Sequence, residues 1–293
     1  MTANSPFTCV LDVRASLGEC PLWSLAERVL YWIDINAPAL NRFDPATGEN
    51  RAMPMPASIG CAGLRDDGGF VVALRTGIWL ANARGNLERS VAAPPYEPGH
   101  HRFNDGRVDP QGRFVVGSMN ENRDADDAAL YRLDADYTLT RLLDHMTISN
   151  GLAWSPDGRT MYHSDTPARI VRAYDYAEGP ELPANGRTFA QFPGATDRPD
   201  GGVCDSAGNY WSAFYSGGKI VKLSPQGALV AEYPVPAMCP TMCAFGGDDL
   251  RTLYVTTARQ RRDDAELARL PQSGGIFSMR VDEPGLPEAR FHG

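Results

Sequence analysis

Cysteine and histidine are scarce, and neither is arranged for soft-metal or redox chemistry. The six cysteines (Cys9, Cys20, Cys61, Cys204, Cys239 and Cys243) contain no CxxC pair, and the five histidines form no HExxH or similar pattern. Cys239 and Cys243 have no Cys or His partner at zinc-finger spacing. Most thiols are therefore expected to be free and buried. No apolar run approaches the roughly 18 residues of a membrane span. The opening MTANSPFTCVLDVRASLGE has no basic stretch followed by an apolar core, so it does not read as a secretory signal. A cytoplasmic protein without a membrane partner is the expectation. Basic residues are outnumbered, 28 against 36, for a formal net charge of −8, which argues against a nucleic-acid partner. Sustained helical periodicity is also missing, apart from a short stretch at 263–270.

Turn formers are abundant. The 29 glycines and 23 prolines spread along the chain as DPATG, SPDG, SPQG and DEPG, which mark strand reversals. Between these turns the chain repeats. An apolar pair, a turn and an alternating strand recur as WSLAERVLYWID (23–34), LRDDGGFVVAL (64–74), VDPQGRFVVGSM (108–119), WSPDGRTMYHSD (154–165), CDSAGNYWSAF (204–214) and FGGDDLRTLYVTT (245–257). Successive starts lie 41, 44, 46, 50 and 41 residues apart, and a second hairpin follows each. Two hairpins make a four-stranded antiparallel sheet. Six at this period predict an all-β fold, a six-bladed β-propeller occupying 1–293 as a single domain. Residues 7–13 are expected to add a strand beside 274–281, leaving no long edge exposed. The longest loops are expected at HMTIS (145–149), 93–100 and 259–275.

One position in the repeat does not suit packing. Four residues before each first hairpin stand Glu19, Gly60, Asn104, Asn150, Asp200 and Thr241. Rotational symmetry places equivalent positions on a ring about the channel axis, near one mouth. Four oxygen-bearing side chains (Glu19, Asn104, Asn150 and Asp200) are thus expected to converge, with Gly60 leaving space. Two carboxylates and two amides make a hard-oxygen set suited to Ca²⁺, Mg²⁺ or Mn²⁺. Without a cation the two acids would repel and one would hold its proton. The competing explanation is local, since Asn and Asp favour strand caps and Asx turns. Arg102 and Asp105 flank Asn104, Glu121 and Asn122 end the next strand, and Asp165 is expected near the same mouth.

LGECPLW, YWIDI, RFNDGRVDPQGRFVVGSM, ISNGLAWSPDG, YHSDT, RPDGGVCDSAGNYWSAF and FGGDDLRTLYVTTAR together resemble the gluconolactonase / senescence-marker-protein / luciferin-regenerating-enzyme-like family, over essentially the whole chain. The resemblance implies one divalent metal ion held by Glu19, Asn150 and Asp200. It implies substrate contacts from Arg102 and Asn104, with an acidic or amide residue at Glu121 or Asn122 in a similar role. The implied substrate is a sugar-acid lactone, with the nearest likeness to bacterial xylono- and arabinonolactonases. Cys20 departs from the Gly or Ser usual in that family, and a thiol beside the ion would shift preference toward Zn²⁺ or Fe²⁺. The expected reaction is metal-dependent lactone hydrolysis with Asp200 as catalytic base, the chain acting as a monomer or weak homo-oligomer. Two alternatives share the site: an organophosphate ester hydrolase, and a non-catalytic propeller pinned by its metal.

Overall fold

Strand-forming residues alternate with turns along almost the entire chain, and the computed structural model describes residues 5–97 and 99–293. Residues 1–4, part of the stretch read for a secretory signal, lie outside the described residues, as does Pro98 in the expected 93–100 loop. The strands assemble into six four-stranded antiparallel sheets. Blade 1 covers 18–54, blade 2 covers 59–92, blade 3 covers 101–146, blade 4 covers 149–191 and blade 5 covers 198–234. Blade 6 runs from 240 to 280 and takes Thr8–Leu11 as its outermost strand, paired antiparallel with Ile276–Arg280. The expected closure is therefore present: the two ends of the chain share one sheet, so the ring has no free seam.

Burial explains which residues occupy which strand. The second strands VLYWID (Val29–Asp34) and FVVAL (Phe70–Leu74) are buried on both faces between neighbouring blades, and both are rich in β-branched and aromatic residues. The outermost strands carry little of the core, and LVAEYP (Leu229–Pro234) has no buried residue. The turns follow the sequence signals. In blade 4 Gly158 takes φ +70° and donates its N–H to the Ser155 carbonyl at 2.8 Å. The only α-helix among the described residues, Asp264–Arg269, is capped by Asp263, whose carboxylate accepts the Glu266 N–H at 2.7 Å.

One loop expectation is corrected. His145 and Met146 end the strand Leu139–Met146, and Ser149 begins Ser149–Trp154, so HMTIS is largely ladder. Ile148 bridges to Met119, and this pairing draws the connection into the sheet. The C-terminal segment 284–293 has no repeat signature, yet it is tied to the turns at the far end of the channel. Ser206 N–H bonds Pro284, His292 N–H bonds Gly112, and Phe291 N–H bonds Leu64. Glu288 there meets the buried Arg107 guanidinium at 2.8 Å. With blades 2, 3 and 5 tied beneath this tail, a small molecule would enter by the opposite mouth, where the ring positions lie.

Candidate functional site: an oxygen-lined channel mouth

In every blade the inner strand breaks register at the ring position. Irregularities fall between Glu19 and Leu22, Ile59 and Cys61, Phe103 and Gly106, Asn150 and Ala153, Pro199 and Gly202, and Pro240 and Met242. A bulge frees one residue from the alternation of the pleat and re-aims its side chain. The bulge recurs in all six blades, and in blades 1, 3, 4 and 5 it turns the ring side chain toward the channel mouth. This accounts for the Asn-Gly pair that opens blade 4. Gly151 has φ +66°, and a Cβ there would stand 2.5 Å from the Tyr210 hydroxyl and 3.1 Å from the Asp200 carbonyl. Only glycine allows blade 5 to approach so closely. Gly60 serves the same end, because a Cβ there would collide with the Phe103 backbone of blade 3.

Side chains from four of the six ring positions face one cavity of about 390 Å³: Glu19, Asn104, Asn150 and Asp200. Thr241 does not. Its hydroxyl donates to the Gly18 carbonyl at 2.5 Å and meets Thr256 Oγ1 at 2.8 Å, so it fastens blade 6 to blade 1. The amides are held by a directional relay. An Arg102 Nη1 donates to Asn104 Oδ1 at 2.8 Å, and Asn104 Nδ2 donates to Asn150 Oδ1 at 2.8 Å. Asn150 Nδ2 donates to Thr166 Oγ1 at 2.7 Å, and that hydroxyl donates to the Pro199 carbonyl at 2.8 Å. The chain of bonds crosses blades 3, 4 and 5 and fixes Asn150 with its carbonyl oxygen as the acceptor on the cavity side.

The carboxylates have no comparable partner. Glu19 Oε2 accepts only the Cys20 N–H, at 3.3 Å, among the side-chain contacts of the described residues. Burial pushes its carboxyl well above the usual range, and the negative charges of Asp200 and Asp105 push it further. Asp200 is raised for the same first reason, then by Asp105 and Cys239, with Arg102 opposing. Asp105 sits beside Asn104 in the inner strand; its Oδ2 accepts the Leu152 N–H at 3.0 Å and its Oδ1 has no hydrogen-bond partner among the described residues. Three acids thus share a space in which Arg102 is the cation opposing both Glu19 and Asp200. Among the described residues no group of three or more His, Cys, Asp or Glu side chains forms a metal cage. The set that does converge is mixed, two carboxylates and an acceptor-oriented amide. Its oxygens and surplus negative charge fit a hard divalent cation.

Other expected positions fall elsewhere. Glu121 pairs with Arg75 at 2.7 Å and with Arg102 at 3.4 Å, standing behind Arg102 and outside the cavity wall. Asn122 is exposed and also outside the wall; its N–H bonds the Asn120 side chain at 2.9 Å. Asp165 accepts the Ile148 N–H at 3.0 Å and holds the strand entry rather than facing the cavity. The Cys20 thiol is engaged by blade 2, within 3.3 Å of Ala62 N and 3.4 Å of Ala62 O, and burial pushes it up to about 12. A protonated thiol turned into the neighbouring blade removes the reason to expect a soft metal. The wall also includes Arg123, Thr166, Arg169, Arg198, Tyr215 and Gln260, none of which the ring argument finds. They lie on loops or at strand ends, where the repeat carries no register.

Residues 17–259 match the SMP-30/gluconolactonase/LRE-like region. The chain belongs to that family. All four cavity-facing ring residues fall inside the matched span, while the closing strand Thr8–Leu11 and the tail over the far mouth fall outside it. Within the family's reach, the chain is 46% identical to 6-deoxy-6-sulfogluconolactonase of Pseudomonas putida, covering 99% of this chain and 100% of that protein. It is 33% identical to regucalcin of Xenopus laevis, over 97% of this chain and 98% of that one. A solved calcium-binding protein, regucalcin from Agrobacterium tumefaciens, superposes with a TM-score of 0.93 at 26% identity, covering 100% of this chain and 98% of that chain. No helix among the described residues is long and apolar enough to cross a membrane.

Proposed function

We propose that the chain hydrolyses a sugar-acid lactone, such as a xylono-, arabinono- or gluconolactone, to the open-chain aldonic acid, with one divalent metal ion held by Glu19, Asn150 and Asp200. The observation that carries this reading is the convergence of three oxygen donors from blades 1, 4 and 5 on one cavity, with the two acids short of positive charge. Relatives named for lactone hydrolysis, and a structural relative named as calcium-binding, support it. When bound, such a cation polarises the ester carbonyl and offsets charge that develops on its oxygen.

The chain's own groups supply the rest. Asp200 is the base that takes the proton from the attacking water, its carboxylate facing the cavity beside the Asn150 oxygen. The proton then passes to the ring oxygen as the ester C–O bond breaks, leaving a carboxylic acid and a hydroxyl in one open chain. Arg102 keeps Asn104 oriented, and Asn104 in turn keeps the Asn150 oxygen in place. A lactone hydrolyses readily even in water, so the acceleration required is modest by enzyme standards.

A pH-indicator assay on five- and six-carbon aldonolactones, with chelator and metal add-back, tests this. Asp200→Ala and Asn150→Ala are expected to lower kcat/KM by about 100-fold or more while circular dichroism stays propeller-like. Full activity after chelation, or in either variant, would refute the scheme.

A further inference from the structure

The rim of the cavity is basic although the molecule is acidic. Four consecutive blades each bring an arginine to this side: Arg123 from blade 3, Arg169 from blade 4, Arg198 at the start of blade 5, and Arg261 in the connection between the second and third strands of blade 6. Arg123, Arg169 and Arg198 line the cavity directly. Arg123 also feels Arg261 and Arg198 as like charges, and it senses Asp200 across the mouth. Several acids on the same loops are already engaged. Asp124 accepts from Asn120 at 3.0 Å, Asp127 meets His101 at 2.9 Å, and Asp197 pairs with Lys219 at 3.2 Å. No ion pair to Arg123 or Arg198 occurs among the described residues, and both are exposed at the mouth.

The rim arginines leave the backbone from turns. Arg123, Arg169 and Arg261 have φ of 59°, 57° and 59°, a region that favours glycine. Arg14 and Arg28 share this conformation elsewhere in the chain, so it describes how the loops present these side chains rather than marking a ligand site. Arg169 has a supporting part: its Nη1 reaches the Pro193 and Gly194 carbonyls at 3.4 and 3.3 Å and so braces the loop that presents Arg198. Two neutral donors complete the rim, Gln260 and Tyr215, whose phenol burial pushes up to about 12, keeping it protonated.

We propose that Arg123 and Arg198, reinforced by Arg261, form a subsite for an oxyanion carried on the substrate's carbon chain away from the ester, so that the preferred substrate is an anionic sugar lactone. This rests on the lactonase reading above. A sulfonate, a phosphate ester or a second carboxylate presents the same chemistry, several oxygens that planar guanidinium groups can bind in pairs. The basic rim reverses locally the repulsion that an acidic protein exerts on such a substrate. The Pseudomonas putida relative is named for a lactone of this class.

The test compares kcat/KM for neutral glucono-δ-lactone with that for its 6-phospho, 6-deoxy-6-sulfo and 6-carboxylate counterparts, using metal-loaded enzyme. Wild type is expected to favour at least one anionic lactone by about tenfold or more, mainly through KM, since each partly exposed charge pair contributes only a few-fold. The identity of the winner distinguishes the sources. The preference should shrink in about 0.5 M salt. It should fall at least about fivefold in the double variant Arg123→Gln/Arg198→Gln and be largely kept in Arg123→Lys/Arg198→Lys. Turnover of the neutral lactone with no anionic preference, or a preference insensitive to both salt and substitution, overturns the subsite alone. Failure to hydrolyse any of the four, with xylono- and arabinonolactone run beside them and also untouched, overturns the lactonase reading beneath it.

Discussion

The crowding of acids at the channel mouth predicts a crossover in stability that a single substitution exposes. Asp200 and Glu19 are both raised, first by burial and then by neighbouring negative charge, Asp200 and Asp105 for Glu19 and Asp105 for Asp200. A group whose folded pKa exceeds its unfolded value of about 4 stabilises the fold fully below that value, and this contribution is lost as pH rises through the folded pKa. Once pH has risen past the folded pKa values the metal-free protein holds two unfavourable charges, and below them it holds protons that the unfolded chain would release. Asp200→Asn removes one charge and its repulsion of the other. Metal-free Asp200→Asn should melt above metal-free wild type, by roughly 3 °C or more for a chain of this size. A cation at 100 times its dissociation constant stabilises wild type by about 2.7 kcal/mol, roughly 4 °C for a chain of this size, and should do little for the variant. The order of melting temperatures thus inverts between chelator and saturating Ca²⁺, and the metal-free gap closes as pH falls through the folded pKa. Differential scanning calorimetry in both conditions, at about pH 8 and pH 5, reads this directly. A variant less stable than wild type without metal, yet stabilised by Ca²⁺ to the same extent, would show that the two acids neither repel nor share a cation.

Thr166→Val leaves the Asn150 amide without its acceptor and the Pro199 carbonyl without its donor, so the Asn150 oxygen loses its fixed orientation. We expect metal affinity, read by calorimetric titration, to fall about 10- to 100-fold, and unchanged affinity would show that the relay does not position Asn150. Gly151→Ala forces a side chain into a left-handed backbone against Tyr210 and Ser164; it should cost about 2 kcal/mol or more in urea unfolding, and a neutral effect would mean that blades 4 and 5 can separate freely. Glu288→Gln strips the partner from a buried Arg107 that Asp105 only partly compensates. A loss of about 2–3 kcal/mol with activity within a few-fold of wild type is expected; an intact urea midpoint would show that the tail does not secure the far mouth.

Rotational repetition made most of the architecture readable in one dimension. Spacings of 41 to 50 residues, turn residues at fixed offsets and alternating strands define six blades, because each blade is built from contacts close in sequence. The same symmetry made the inner ring legible: one bulged position per repeat, whose residues read Glu, Gly, Asn, Asn, Asp and Thr. What the repeat could not say is how each ring member is used. Thr241 and Glu19 occupy equivalent positions, yet one fastens blades and the other faces the cavity. Cys20 lies next to Glu19 in the chain but points into blade 2, because a left-handed φ of 48° turns it away. Glu121 stands behind Arg102 instead of on the wall. The arginine rim and the tail over the far mouth lie in loops and termini, which follow no period. Periodicity encodes strands and their equivalence; the direction of a side chain leaving a bulge, and the meeting of loops from blades 3 to 6, arise only when the ring closes.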